Sequence, residues 1–196
     1  MAEITIDQIK KLKELSGVGL TDAKKALVEA DGDFDKALEA MRKKGLTKAE
    51  KRGDRETREG LIEAYIHDGR LGAIVEVNCE TSFVAKTDEF KTLAHQIAMQ
   101  VASMNPLYVS EADIPEADMA AKRAELETNF KGPENMKDQI ISGQIKKAFA
   151  DKVLLNQPYI LDDTKTVEQF IKDNIAKTGE NITVRQFKRI ELGVTE

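Results

Sequence analysis

The sequence lacks several features that define whole classes of protein. It has one cysteine, Cys79, in 196 residues, which excludes an internal disulfide framework and is typical of a reducing cytosol. No apolar run approaches the roughly 18 residues that a membrane-spanning helix requires. Residues 1–11 alternate charges with isoleucines and lack the apolar centre of a secretory signal. We therefore expect a cytoplasmic protein with no membrane partner.

Groups suited to catalysis or metal binding are also scarce. There are two histidines, His67 and His95, without the spacing of a zinc pair, and one cysteine cannot build a thiolate cluster. The Gly17-Val18-Gly19 turn follows a predicted helix instead of a strand, and it lacks the Lys-Ser/Thr that completes a phosphate loop. A net charge of −5 argues against a general nucleic-acid binder. These features predict no enzyme, no cofactor and no direct nucleotide or nucleic-acid binding.

The first 45 residues predict three short helices. Apolar residues recur at helical spacing in the first of them, at Ile6, Ile9, Leu12 and Leu15. Residues 16–19 should end that helix, Thr21 should cap the second, and Asp33 should cap a third that ends at Gly45. A unit of this size with many alanines buries only a small core.

A basic segment follows at residues 46–59, in a charge-rich stretch that begins at residue 42. It is interpreted either as a solvated helical linker or as an electrostatic contact to an acidic partner. It separates a domain of residues 1–45 from a second domain of residues 60–196. The positive charges of the stretch are Arg42, Lys43, Lys44, Lys48, Lys51, Arg52, Arg55 and Arg58.

The pattern from residue 60 onward predicts an α+β arrangement. Two strands flank Asp68-Gly69, a two-residue hairpin signal, and a helix over 88–104 should cover them. Residues 115–150 predict a helical hairpin, Thr166 and Gln169 form a capping-box pair for a last helix, and residues 181–192 form a final strand with room for a bulge. The result is a three-stranded, mainly antiparallel sheet packed with helices, with two edges to cover. The apolar stripe of the 88–104 helix comprises Phe90, Leu93, Ala94, Ile97, Val101 and Met104.

Residues 75–86 are the most informative segment. After an apolar strand the chain turns through small and polar residues and then presents Phe83 and Val84. An aromatic residue in such a connection either fills the protein's own core or anchors in the pocket of a partner. The residues alone leave both interpretations open.

Two segments together resemble a known family. Residues 75–86 (VEVNCETSFVAK) and 12–27 (LKELSGVGLTDAKKAL) resemble, in the same order, the two signatures of the elongation factor Ts family. The similarity runs over almost the whole chain. It implies a guanine-nucleotide exchange factor for the GTPase elongation factor Tu, and an amino-terminal unit similar to a ubiquitin-associated (UBA) domain.

The resemblance also implies two contact sets on the GTPase. The first, with the nucleotide-binding domain, would involve Ile9, Leu12, Gly19, Leu20 and Thr21. The second would involve Thr81, Ser82, Phe83 and Val84, of which Phe83 inserts near the Mg²⁺ of the GTPase and dislodges the ion. Two positions depart from the family pattern. Leu20-Thr21 stands in place of two methionines, and Ser82 replaces an aspartate, which removes a charge from the second contact.

The chain resembles the short form of the family, which pairs through its sheet into a homodimer. Some short members carry a cysteine in the last strand that links the dimer, and here that position is Lys188. The resemblance therefore implies a non-covalent homodimer. Two other functions stay open at this point: a UBA-like peptide-binding adaptor with an α+β scaffold, and an RNA-binding factor that uses the basic segment.

Overall fold

Three helices form the amino-terminal unit. The computed structural model describes residues 4–16, 19–50 and 52–194, and it describes the backbone alone at residues 14, 42, 44–50 and 134. Helix α1 spans Ile6–Ser16, α2 spans Leu20–Glu29 and α3 spans Phe34–Glu50. The predicted turn residues Gly17 and Val18 and the basic residue Lys51 lie outside the described residues.

The small helical core confirms the predicted unit, but two helix ends differ. Helix α2 begins at Leu20, because Gly19 takes the extended N-cap conformation and its carbonyl accepts the Ala23 N–H at 3.0 Å, so Thr21 is not the cap. Helix α3 continues past Gly45 to Glu50, since one glycine within a helix costs only about 1 kcal/mol. The predicted Asp33 cap is present, with Oδ1 accepting the Lys36 N–H at 3.1 Å. The buried residues of this core are Leu12, Ala23, Ala26, Leu27, Ala37 and Met41.

The rest of the chain confirms the α+β class. Its elements in chain order are β1 (Glu59–His67), β2 (Leu71–Cys79), α4 (Ser82–Ala85), α5 (Asp88–Met104), α6 (Glu116–Thr128), α7 (Lys137–Ala150), β3 (Pro158–Tyr159), β4 (Asp162–Thr166), α8 (Val167–Thr178) and β5 (Ile182–Glu191). The Thr166/Gln169 capping box opens α8, as predicted, and Gly179 ends it with a left-handed conformation. Helices α6 and α7 form the predicted hairpin.

Strands β1, β2 and β5 make one antiparallel sheet with β2 in the centre. Asp68 and Gly69 both have positive φ, and the Arg70 N–H donates to the His67 carbonyl at 3.0 Å, as in the predicted turn. His67 pairs with Leu71, however, so the connection has three residues instead of two. The register between β2 and β5 shifts between Glu76 and Val77 of β2, which confirms the predicted bulge in β5.

One face of this sheet is covered by α5 and α8. Alternate residues of β2 point into the core together with the apolar side of α5, where Phe90 and Ile97 are almost completely buried. Met104 departs from the prediction: it is the last residue of α5 and is 41% exposed. The opposite face of the sheet has no helix on it among the described residues. Its exposed side chains include several large apolar ones.

Two buried glutamines attach the segment after the helical hairpin to α5. The Gln100 side chain donates from Nε2 to Gln157 Oε1 and to the Pro158 carbonyl, both at 3.1 Å, and accepts the Ile160 N–H at 2.8 Å. The Gln157 amide in turn donates to the Met104 and Asp151 carbonyls. No local sequence pattern predicted this pair or the small β3–β4 hairpin that it supports.

Substituting Gly60 by alanine should destabilise the fold. Gly60 has φ +151°, and a Cβ at this position would lie 2.2 Å from the Val77 carbonyl oxygen and 2.7 Å from Asn78 Cα, both backbone atoms of the neighbouring strand. We expect G60A to lower the free energy of unfolding by about 3 kcal/mol in urea titrations followed by circular dichroism. Gly143→Ala in helix α7 is the matched control, because outside the backbone of its own helix its methyl would meet no atom within 4 Å. Equal stability of the two variants would contradict this account.

Candidate partner-binding site

The Phe83 side chain points away from its own protein. Its exposed fraction is 80%, whereas the next residue, Val84, is 7% exposed and Ala85 is 8% exposed. Of the two interpretations left open by the sequence, the core filler is therefore excluded. Contact between an exposed phenylalanine ring and water is unfavourable, and it is relieved when a partner covers the ring.

Two threonine caps shape the turn that carries Phe83. Thr81 Oγ1 accepts the Val84 N–H at 3.4 Å and opens the single-turn helix α4. Thr87 Oγ1 accepts the Phe90 N–H at 3.2 Å and opens α5. The chain thus leaves the central strand, makes one helical turn and enters a long helix within a few residues. Burial of Val84 and Ala85 anchors that turn to the core.

The four predicted residues of this segment have different environments. Ser82 and Phe83 are exposed, and Val84 lies in the chain's own core, where it cannot be offered to a partner. Thr81 is held by a residue that the sequence analysis did not identify. Its N–H donates to Glu180 Oε2 at 3.0 Å and its hydroxyl donates to Glu180 Oε1 at 2.6 Å. No sequence pattern could have joined two residues 99 positions apart.

A second set of polar contacts lies beside this clamp. Glu80 Oε1 accepts the Asn181 N–H at 2.7 Å, and Arg55 Nη1 lies 3.5 Å from Glu80 Oε2. The Asn181 side chain is 2% exposed and donates to the carbonyls of Gly53 and Arg55, at 3.1 and 2.8 Å. These hydrogen bonds attach residues 53–55 of the basic segment to the turn between α8 and β5. Helix α3 of the amino-terminal unit also packs against α8.

The predicted residues of the amino-terminal contact also differ in exposure: some are exposed and others are buried. Leu20 is 51% exposed, and Gly19 and Thr21 are also exposed. Leu12 is completely buried, and Ile9 packs against the same core while remaining partly accessible. Leu12 therefore supports this surface from beneath instead of forming it. Exposed apolar residues that the sequence analysis did not assign to a contact include Ile6 and Val28.

The described residues offer no alternative chemical centre. No cluster of three or more histidine, cysteine or acidic side chains within 4–16, 19–50 and 52–194 is placed to hold a metal ion. In the same part of the chain no helix combines the length and apolar character needed to cross a membrane. His95 is half-exposed, and its Nδ1 lies 2.9 Å from Glu63 Oε1.

The thiol of Cys79 belongs to the support of the turn. Cys79 is completely buried at the end of β2, and its Sγ donates to the Thr81 carbonyl at 3.2 Å. Burial raises the pKa of the thiol to about 11, and the nearby Glu180 carboxylate acts in the same direction. A thiol of this kind is protonated and unreactive at neutral pH.

Cys79 should resist thiol reagents in the folded chain. At pH 8 we expect Ellman's reagent to leave Cys79 unmodified until urea unfolds the protein, after which one thiol per chain reacts. Because the folded pKa lies above the unfolded value, the folded state holds the proton more tightly, so stability falls as the pH rises toward about 11. Cys79→Ala should lack that part of the alkaline loss. Rapid labelling of the native chain would contradict this assignment.

Comparison with known proteins identifies the family. A sequence model of the family described as Elongation factor TS matches residues 8–194. The chain is 50% identical over 196 residues to Elongation factor Ts of Thermotoga maritima, with 97% of each chain covered. It is 48% identical over 199 residues to Elongation factor Ts of Synechocystis sp., covering 98% of this chain and 91% of the relative. With a match that spans nearly all of the sequence and includes both signature segments, the chain belongs to the elongation factor Ts family.

Proposed function

We propose that this chain promotes release of GDP from elongation factor Tu by inserting Phe83 next to the Mg²⁺ site of the GTPase and displacing the ion. Family membership makes the chain a nucleotide-exchange factor of translation elongation rather than an enzyme. The observation that carries the finer mechanism is the 80% exposure of Phe83 on a turn whose following two residues are buried. We place this activity in the cytoplasm, where translation factors act.

The ring has enough apolar surface to act as a wedge. A phenylalanine side chain contributes about 200 Å² and a few kcal/mol when it is transferred from water to a pocket. Accelerating nucleotide release a thousandfold requires a barrier lower by roughly 4 kcal/mol. Insertion of Phe83 is therefore of the right order. Contacts from the amino-terminal unit would supply the remainder.

Exchange also requires that the factor and GDP weaken each other's binding to the GTPase. If the factor weakens the binding of GDP, bound GDP weakens the binding of the factor by the same ratio. No covalent step is required of this chain, and its own residues need only hold two surfaces in place. The first surface is the exposed part of the amino-terminal set: Ile9, Gly19, Leu20 and Thr21. The second is Phe83 with Ser82.

Truncating the Phe83 side chain should slow nucleotide release even when the GTPase is saturated with the factor. We expect Phe83→Ala to slow the factor-stimulated release of a fluorescent GDP analogue from elongation factor Tu by tenfold or more, measured by stopped flow at saturating factor. The matched control is Leu161→Ala, which removes an apolar side chain of 57% exposure from the loop between β3 and β4. It should behave like the wild type.

Other outcomes of the same experiment are informative. Fast release with both Phe83→Ala and wild type would move the mechanism to the amino-terminal surface around Leu20. No acceleration by the wild type would contradict exchange activity and favour the peptide-binding adaptor. RNA binding by the basic segment would appear as an affinity that falls steeply with salt.

The open face of the sheet supports a non-covalent homodimer. Outward-facing residues of β1, β2 and β5 form an apolar patch in which Ile66 is 71% exposed, Ile74 is 52% exposed and Ile190 is 74% exposed. The register places Gly72 between Ile66 and Ile190, which leaves a shallow groove of about 340 Å³. We infer that a second copy covers this patch, as the short-form resemblance implies. Lys188 on the same face leaves no cysteine there to link the copies.

A charge within the patch should dissociate the dimer. The expected mass of the wild type by gel filtration with light scattering is twice the 21.8 kDa of one chain. Ile190→Lys should shift the mass to a monomer, because pairing would then bury an uncompensated ammonium group. Val28→Lys, at an apolar residue of 56% exposure on α2, is the matched control and should remain dimeric. A wild type that elutes only as a monomer would refute the dimer.

A further inference from the structure

We propose that Glu180 is the positioning residue for the Phe83 wedge. This rests on the proposed function, since the clamp matters for exchange only if Phe83 acts on the partner. The proposal assigns a role to a residue of the α8–β5 turn that binds Thr81, two positions before Phe83. It explains how an exposed ring keeps one direction with little packing around it.

The direction of Phe83 depends on its backbone. With 80% of the side chain exposed, the remainder of the chain provides little packing to orient the ring. A turn of only four residues, Ser82–Ala85, has no long run of helical hydrogen bonds to stiffen it. Its carboxyl end is anchored by the burial of Val84 and Ala85. The amino end needs a separate anchor.

Glu180 provides that anchor with both carboxylate oxygens. Oε2 accepts the Thr81 N–H at 3.0 Å, and Oε1 accepts the Thr81 hydroxyl at 2.6 Å. Two charge-assisted hydrogen bonds to one residue fix its orientation as well as its position. Thr81 Oγ1 still accepts the Val84 N–H, so the same hydroxyl connects Glu180 to the first turn of α4. A carboxylate oriented in this way controls where the turn starts.

Glu180 is itself held by a rigid base. The left-handed Gly179 ends α8 immediately before it, and the buried Asn181 follows it. Asn181 binds the Gly53 and Arg55 carbonyls, while its N–H donates to Glu80 at the end of β2. Three chain segments, 53–55, 80–81 and 180–181, thus converge at one place. Because α3 also packs on α8, the clamp relates the Phe83 turn to the amino-terminal unit.

The test is Glu180→Gln in the full-length chain. An amide carries no charge and offers one acceptor oxygen, so the two charge-assisted hydrogen bonds are replaced by a neutral one from the Thr81 N–H and a reversed one in which the Thr81 hydroxyl accepts from the NH₂ group. We expect the maximal rate of GDP release from elongation factor Tu to fall roughly tenfold, with little change in the factor concentration that gives half of that rate. Glu168→Gln is the matched control: it neutralises an exposed glutamate at the other end of α8, paired with Lys172 at 2.9 Å, and should keep the wild-type rate.

A double-mutant cycle separates positioning from general destabilisation. If Glu180 acts through Phe83, the pair Glu180→Gln/Phe83→Ala should release GDP no more slowly than Phe83→Ala alone. Additive losses in the double variant would overturn the proposal. So would a wild-type rate for Glu180→Gln when Phe83→Ala is impaired.

Hydrogen exchange gives a readout that needs no partner. The Thr81 amide should exchange with deuterium faster in Glu180→Gln than in wild type, while the amides of α5 remain protected. Unchanged exchange at residues 81–83 would overturn the clamp. If Phe83→Ala retained full activity, the wedge would fail but faster exchange would still establish the clamp on the turn. Should Glu180→Gln not fold, Thr81→Val removes the hydroxyl from the other side and must show the same slow release, with Thr81→Ser as the variant that restores it.

Discussion

Burial on one side of a three-stranded sheet determines where everything else in this protein can lie. Helices α5 and α8 cover one face, and the apolar residues of β2 that meet them are completely buried. Hydrophobic burial is the dominant favourable term in folding, so the positions of the elements that attach to this core follow from it. The turn after β2 is such an element: Val84 and Ala85 enter the core, and Phe83 between Ser82 and Val84 is left outside.

The polar contacts around that turn have a different role. Glu180, Glu80 and Asn181 contribute little apolar burial, but they join three distant segments at the end of α8. Hydrogen bonds are directional, whereas apolar packing tolerates sliding and rotation. The core therefore fixes the position of the Phe83 turn, and the hydrogen bonds of Glu180, Glu80 and Asn181 fix its orientation.

The same constraint explains the open face of the sheet. A three-stranded sheet can be covered on one side by two helices, and the described helices leave the other side bare. Its isoleucines would be costly to solvate in a monomer, which is the physical argument for a second copy on that surface. The cluster around Glu76 at the other end of the face is polar: the Gln186 amide is the main cause that lowers the pKa of Glu76, with Asn78 and Arg185 assisting. Ile62, which pairs with Glu76 and is 72% exposed, continues the apolar surface along β1 beside this polar cluster.

Periodicity, caps and turn residues were sufficient to predict most elements, because these signals are local. The bounds of α5, the Thr166 cap and the bulge in β5 followed from residues a few positions apart, and the family resemblance rested on two short segments. The errors were also local: Gly19 took the capping position expected of Thr21, and α3 continued through Gly45. What could not be read from the chain was long-range. Whether Phe83 faces inward or outward, the hold of Glu180 on Thr81 and the Gln100–Gln157 pair all depend on side chains brought together by packing, since residues far apart in sequence leave no periodic signal of their contact.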